Sequence, residues 1–391
     1  MSYSQLFLRF LRFGLLAWGG PVAQIAMIRQ ELVEEEGWIS RERFNRVLSV
    51  YQILPGPEAH ELCVYFGMLA RGRLGGLLAG LGFMLPGFLL MFALSWFYVR
   101  FGVSSPIFAA VFAGFQPAVA ALIVRAVHRI GQHAISNRWL LWIALLSGFA
   151  QYLKINFFLT LLVAGLTYVL VVRRWFVPAL ALSIIFFLGM IANGISGGEP
   201  WFDAARLVPS SPSKIQKPGI LDLFMYGLRS GLLTFGGAYT VIPFLQHDAV
   251  EVGQWMTNEQ FLDGLALSGI LPAPLIIFST FVGYLGGGAP GGLVLTVGIF
   301  LPAFAITLIG HDYLETLIEN RALHSFLDGV TAGVVGLISA TALDLVREAL
   351  NVPQAWVIFA LALLVLYLWK AKIAVALVVL SAGFLGLLLF Q

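Results

Sequence analysis

The sequence predicts an all-α integral membrane protein built from two homologous six-segment halves. Three observations carry that prediction. Of 391 residues, 59% are hydrophobic and only 11% charged, against roughly 25% charged in a soluble globular chain, and mean hydropathy is +0.90. Apolar stretches of about 20 residues, the length a bilayer-crossing helix needs, recur along the whole chain. The sequence also repeats itself at a shift of 217 residues. The composition excludes a soluble enzyme, a secreted domain and a nucleic-acid binder acting through a basic face. A net charge of +3 defines no partner, and one cysteine, Cys63, excludes a disulfide framework or a thiolate metal site.

Candidate membrane segments fall at 5–27, 44–70, 75–99, 105–127, 139–153, 156–172 and 175–195. They resume at 220–246, 258–285, 291–311, 325–346, 352–369 and 371–390, about 13 membrane segments in all. Segments 139–153 and 156–172 are short enough to form a tilted hairpin. The stretch 197–219, rich in Pro and Ser, is the one polar linker. The expected domains are an N-terminal repeat (1–174), a connecting segment with its linker (175–219) and a C-terminal repeat (220–391). Arg9 and Arg12 ahead of an apolar run imitate a signal peptide, but the same pattern returns mid-chain, so no cleaved leader is expected.

At the 217-residue shift Phe7 falls on Phe224, Arg12 on Arg229, Gly14 on Gly231 and Gly19-Gly20 on Gly236-Gly237. Trp38 falls on Trp255, Leu54-Pro55 on Leu271-Pro272, Pro57 on Pro274 and Gly75 on Gly292, with a one-residue drift by Pro86/Pro302. Six crossings return each half to its starting side, and the connector then carries the chain across. The expectation is an inverted-topology repeat, a common plan for secondary transporters. A parallel duplication is the alternative if one segment per half does not span. Arginine placement is divided. Arg71, Arg73, Arg125, Arg129, Arg138, Arg173 and Arg174 favour a cytoplasmic N-terminus, whereas Arg29, Arg41, Arg43 and Arg46 oppose it. A re-entrant hairpin turning at the Pro-Gly-Pro would remove the conflict, and by itself would make the halves parallel.

Three features point to chemistry. The first is an arginine followed by paired glycines: Arg12, Gly19 and Gly20, echoed by Arg229, Gly236 and Gly237. An arginine in a membrane span is retained where it pairs or meets an anion, or it snorkels to lipid phosphates. The matched pair has the charge a dianion needs. The second is the broken helix, Pro55-Gly56-Pro57 and Pro272-Ala273-Pro274. Two prolines around one small residue stop a helix, and the restart exposes N–H groups that favour an anion. A simple kink or interfacial turn is the plainer reading. The third is Glu58, His60 and Glu61 after the first break only, where the second half has Leu275, Ile277 and Phe278. Acids and imidazoles in membrane spans mark proton or ion pathways, and Glu58 also suits a capping charge. The loop 30–46 reads as a solvated amphipathic helix anchored by Trp38. There is no Walker lysine and no HExxH, so neither ATP nor a metal or other cofactor is expected.

FGLLAWGGP, EEEGWIS, ILPGPEA and LAGLGFMLPGF, with FGGAYTVIPFL and LPAPLIIFSTFVGY in the second half, resemble the chromate ion transporter family in its long, two-domain form. The resemblance covers nearly the whole chain and implies an inner (plasma) membrane exporter of chromate working by proton exchange. Its motif falls on Arg12, Gly19, Gly20, Pro21, Pro55, Gly56, Pro57 and Glu58. The chain departs from the family where His60-Glu61 replaces Thr-Gln and where Ile270-Leu271 precede Pro272-Ala273-Pro274. The expectation is therefore a secondary transporter for a tetrahedral oxyanion. Arg12, Gly19, Gly20, Pro55, Gly56, Pro57, Arg229, Gly236, Gly237, Pro272, Ala273 and Pro274 would bind it, and Glu58 and His60 would couple protons. Its partners would be a chromate- or sulfate-like dianion, protons and lipids but no nucleic acid, with a homodimer as one candidate assembly. A sulfate transporter or an anion channel of the same fold is the rival reading.

Overall fold

A computed structural model describes residues 1–52, 54–102, 105–195, 217–235, 237–318, 321–369, 371 and 373–390. The described residues form helices and no strand. Most of the polar linker and Gly236 lie outside the described residues. The chain divides into two compact units, one of Met1–Arg125, Ile215–Asp312 and Leu345–Gln391, the other of Ala126–Lys214 and Tyr313–Asp344. Among the described residues, four stretches are long and apolar enough to cross a membrane: Glu58–Gly102, Pro106–Ala134, Leu275–Gly310 and Ala322–Ala349.

The first unit opens with two V-shaped helix pairs. Helix α1 (Tyr3–Leu15) is capped by Ser2 and Gln5 in a capping box. It stops at a turn through Gly19, whose φ of 89° suits glycine alone, and α2 (Gly20–Arg29), prolonged by a wider turn to Glu35, runs back beside it. Arg12 reaches Glu31, and Arg9 binds both Glu31 (2.9 Å) and Glu36. Segment 5–27 is thus two short helices joined at a sharp turn, both packed on α4. The second V is α3 (Arg41–Tyr51), capped by Ser40, and the first arm of α4 (Glu58–Phe97). Phe44 stacks on Phe66, and Arg43 donates to the Tyr65 hydroxyl at 3.2 Å. Contacts between the start of one helix and the end of the next require the chain to double back at Pro55–Pro57. Segment 44–70 is therefore a hairpin too. The loop expected as one amphipathic helix is divided between the ends of α2 and α3, with Trp38 packed on Arg9 and Phe66.

Helix α4 bends sharply at Arg71 and Gly72, where Gly72 has φ 64° and ψ −162°, a region an L side chain rarely enters. Its arms, 58–70 and 73–97, pack through glycines: a methyl group on Gly76 would lie 3.0 Å from the Val64 carbonyl oxygen, and one on Gly80 2.7 Å from Val64 Cγ2. Small residues let the backbones approach this closely.

The second half repeats the plan. Helix α9 (Ile220–Leu232) leads to α10 (Ile242–Gln246), whose wider-turn extension carries Asp248 to Arg229, matching Glu31 and Arg12. Helix α11 (Asn258–Gly269), capped by Thr257 where the first half has Ser40, doubles back on the segment after Pro274. Ser268 donates to the Leu275 carbonyl at 3.2 Å, and Phe261 meets Phe278 edge to face. Helix α12 (Ser279–Ile318) bends at Gly287 and Gly288, with φ 64° at the latter. The contacts correspond in detail. A methyl group on Gly82 would lie 2.8 Å from the Phe7 carbonyl and 3.1 Å from the Leu11 nitrogen; on Gly298 it would lie 2.5 Å from the Phe224 carbonyl and 3.0 Å from the Leu228 nitrogen.

The bends correct one point of register. Gly72 matches Gly288, so Gly75 pairs with Gly291 and not with Gly292. The one-residue drift thus falls between Pro57 and Gly72, well before Pro86. The reason is local. Residues Leu275–Phe278 form a 3₁₀ turn where the first half starts directly in α-helix. Four residues gain about 2 Å of length at 2.0 against 1.5 Å of rise, which offsets the missing residue.

The long arms of α4 and α12 run antiparallel: a methyl on Gly76 would lie 2.7 Å from Leu308 Cδ2, and one on Gly80 2.5 Å from the Phe304 ring. Phe92, further along α4, meets Tyr284 of the short arm of α12 at 5.3 Å. The unit is completed by residues 106–125 of α5 (Pro106–Ala134), α14 (Pro353–Leu368) and α15 (Ala374–Leu389), joined by a core of Ala118, Ala121, Leu122, Ile358, Ala362, Leu366, Val378 and Ala382.

In the second unit, α6 (Arg138–Tyr152) and α7 (Phe157–Val172) are each capped by an asparagine, Asn137 and Asn156. Helix α8 (Phe176–Ile195) follows. The glycines of α13 (Arg321–Ala349) lie against them: a methyl on Gly148 would sit 3.2 Å from the Gly336 carbonyl, and Leu140, Ile143, Ala164 and Ala332 share one core.

Candidate functional site

The tips of the four hairpins in the first unit converge, and each half places its glycine tip at the other half's proline break. Gly56 donates its N–H to the carbonyl of Thr234 at 2.9 Å, and a methyl on Gly237 would lie 3.7 Å from Glu58 Oε1. Reciprocally, Trp18, Gly19 and Gly20 line a pocket with Ser268, Leu271, Ala273, Leu275 and Tyr239. The long arms enclose the same region. A methyl on Gly56 would meet Ala303 Cβ at 3.1 Å, and one on Gly87 would meet Ala273 Cβ at 2.5 Å. Gly87 and Ala303 are equivalent positions of the repeat, as are Gly56 and Ala273, so the two contacts are the same contact made twice.

The prolines explain the geometry. Pro57 and Pro274 cannot donate a backbone hydrogen bond, and each precedes a restarted helix. The first N–H groups of such a helix have no partner within it. Gly56 at φ 150° has no room for a side chain. Gly56, Pro57, Pro272, Ala273 and Pro274 are buried, Pro55 and Gly20 half-buried, and Gly19 exposed.

The two breaks differ in chemistry. After the first, Glu58, His60 and Glu61 are all buried, and Glu58 Oε2, both ring nitrogens of His60 and both carboxylate oxygens of Glu61 have no hydrogen-bond partner. His60 is wedged between Phe304 and Phe300, with ring centres 4.6 and 5.0 Å away. After the second, Leu275, Ile277 and Phe278 are buried and apolar. Burial of unpaired polar groups costs a few kcal/mol each, so a cluster of three is an expensive feature that packing alone does not explain. No group of three metal-ligating side chains occurs among the described residues.

The structure places the two matched arginines apart from the breaks, on carboxylates. Arg12 pairs with Glu31, and Arg229 with Asp248. Sequence reasoning missed both acids, although Glu31 and Asp248 obey the same 217-residue shift as the arginines. It also passed over Tyr51 and Asp263. Asp263 accepts from Tyr98 Oη at 2.8 Å and Gln116 Nε2 at 3.0 Å inside the unit, and an acid in an otherwise apolar stretch was the available signal.

Duplicated hairpins, apolar helices and a buried polar site define a multi-pass membrane protein of the transporter type. The chain belongs to the chromate transporter family, whose profile matches residues 4–170 and again 221–387. It is 56% identical over 394 residues to the chromate transport protein of Pseudomonas aeruginosa, covering 100% of this chain and 93% of that one. It is 30% identical over 395 residues to a probable chromate transport protein of Synechococcus elongatus (100% and 96% covered). It is 29% identical over 390 residues to the chromate transport protein of Cupriavidus metallidurans (99% and 93% covered). These relatives are transport proteins, and the chain is a transporter and not an enzyme. No solved structure matches it.

Proposed function

We propose that the chain exports chromate across the inner (plasma) membrane in exchange for protons. The observation that supports this most is the convergence of four hairpin tips on two breaks, one of which holds buried Glu58 and His60, with Glu58 Oε2 and both ring nitrogens of His60 lacking a hydrogen-bond partner. In this reading Gly19, Gly20, Pro55, Gly56, Pro57, Gly236, Gly237, Pro272, Ala273 and Pro274 frame the oxyanion path, and Glu58 and His60 exchange the protons. Arg12 and Arg229, engaged by Glu31 and Asp248, meet the anion when those pairs open and otherwise hold the hairpins shut. The functional domains are the repeats 1–174 and 220–391 with the connector 175–219 between them, and membrane lipids and a homodimer complete the assembly.

The hairpins also suggest a topology. If all four are re-entrant, nine crossings replace thirteen. Each half loses two crossings, so parity is kept and α8 still inverts the second half, in line with the antiparallel long arms of α4 and α12. Arg29, Arg41, Arg43 and Arg46 then share a face with Arg71 and Arg73, which removes the conflict in arginine placement. Unwound backbone at membrane depth is tolerated only in protein or beside a wet cavity, in line with the burial of Gly56, Pro57, Gly237, Pro272, Ala273 and Pro274 and with the pocket at Gly19 and Gly20.

The test is flux of chromate, with sulfate as competitor, into proteoliposomes with and without a pH gradient. Chromate accumulation driven by the gradient supports the reading. Flux indifferent to the gradient refutes proton exchange, and sulfate moved equally well refutes the assignment of chromate.

A further inference from the structure

The first break contains an acid that the proposed coupling pair leaves unused. Glu61 lies three residues after Glu58, which puts both carboxyls on one face of the helix. Glu58 is 7% exposed and sits beside the glycine tip of the other half, whereas Glu61 is wholly buried. The Glu61 carboxyl is pressed on the break itself: a methyl group on Gly56 would lie 2.8 Å from its Oε1.

An independent observation lies behind it. The hydroxyl of Tyr51, from α3, faces both the Glu61 carboxyl and the hydroxyl of Thr307, from α12. Tyr51 and Thr307 are buried, and neither hydroxyl has a well-formed hydrogen bond. The Tyr51 hydroxyl is thus held near an acid with no partner of its own, with the Thr307 hydroxyl beside it. The titratable groups facing Glu61 are Glu58 on its own helix and Tyr51 on α3, with Tyr65 beside Tyr51. The α12 residues that close the pocket, Phe300, Ala303, Phe304 and Thr307, are all neutral. The second half has Phe278 and Leu275 in place of the two acids, so the arrangement occurs once per chain.

We propose that Glu61 is an inner proton-binding residue of the transporter, exchanging its proton with Glu58 one helical turn nearer the mouth, with Tyr51 as its positioning residue. This deepens the proton-exchange reading and rests on it. The step is a plain transfer: an O–H bond breaks on the Glu58 carboxyl as one forms on the Glu61 carboxylate, and no electron moves. Charge passes between two stations inside the break, while His60, held between two phenyl rings, lies on a different helical face.

The test uses the full chain in proteoliposomes with two readouts, chromate accumulation driven by a pH gradient and chromate–chromate exchange without one. Glu61→Gln is isosteric and is expected to lose gradient-driven accumulation at least tenfold while exchange stays within about twofold. Tyr51→Phe removes only a hydroxyl and is expected to move the pH midpoint of wild-type accumulation. A wild-type chain that responds to the gradient, alongside a Glu61→Gln chain that responds equally, overturns this inference and leaves proton exchange standing. A wild-type chain that does not respond overturns proton exchange itself. An infrared carbonyl band of a protonated carboxylic acid, present in the wild type and lost in Glu61→Gln, supports the assignment without reference to transport; its persistence in the variant counts against it.

Discussion

The matched ion pairs offer a test in which the same substitution is made twice in one molecule. Arg229 is 19% exposed and Asp248 1%, whereas Arg12 is 58% exposed. Arg229→Ala leaves a buried aspartate without its guanidinium, for which about 3–5 kcal/mol is usual. Arg12→Ala leaves Glu31 with Arg9, still 2.9 Å away, so its effect stays below about 1 kcal/mol, as for exposed pairs. The two variants, equivalent by repeat position, are therefore expected to differ by at least about 2 kcal/mol.

The measurement is thermal unfolding in detergent followed by tryptophan fluorescence, at one scan rate, because unfolding of such proteins is often irreversible. Trp255 packs on Tyr226, which lies under Arg229, so the probe sits beside the perturbation. The double variant Arg229→Ala/Asp248→Ala removes both charges and is expected to recover much of the loss, which a double-mutant cycle reads directly. Equal shifts for Arg12→Ala and Arg229→Ala, or no recovery in the double variant, would refute the reasoning.

Gly82→Ala and Gly298→Ala push α1 from α4 and α9 from α12 by the same contact, so each is expected to lower stability by about 1–3 kcal/mol, within error of the other; unequal midpoints would break the equivalence. Gly56→Ala is expected to abolish chromate flux while Ala273→Gly keeps it, since only Gly56 combines φ 150° with a crowded Cβ position; flux assays on both check this. Arg9 donates a hydrogen bond to Glu36 and so holds that carboxyl below the usual carboxylate range, against a smaller desolvation effect. The resulting stability is present above the ordinary carboxylate range and fades as pH falls through the depressed value. Glu36→Gln should flatten that acid limb by less than about 1 kcal/mol, Glu36 being 39% exposed; an unchanged slope in unfolding against pH excludes it. In a Cys63→Ser chain, cysteines at Gly37 and Arg71 should react with an impermeant reagent from the side that labels Ser2→Cys, and cysteines at Gln254 and Gly287 from the other; labelling of Gly37 and Arg71 from opposite sides removes the re-entrant hairpins.

What the sequence made legible follows from what a 217-residue shift preserves. Trp38 and Trp255, the arginines and the proline breaks stand out because they are rare residue types in an apolar chain. Chain reversal does not stand out. Hydropathy measures the length of an apolar run, and two short arms folded back look the same as one helix, as 5–27 and 44–70 illustrate. The evidence lay instead in Gly19 at φ 89° and Gly56 at φ 150°, whose need for a left-handed backbone is invisible without coordinates. The arginines show a second limit. Their matching across the repeat implied a shared role but could not separate anion contact from pairing, because the acids that engage them, Glu31 and Asp248, differ in type and so escaped a search for identities. The same reasoning explains why Glu61 matters more after folding than before. In sequence it is one of two acids in a row of motifs. In space it is the one pressed against the break, with a second helix's tyrosine turned toward it, at a position the other half fills with phenylalanine. A duplication that keeps both breaks but gives only one of them acids lets both breaks frame the proposed anion path while the first alone carries groups able to exchange protons, and that asymmetry supports the proposal that places the proton at the first break.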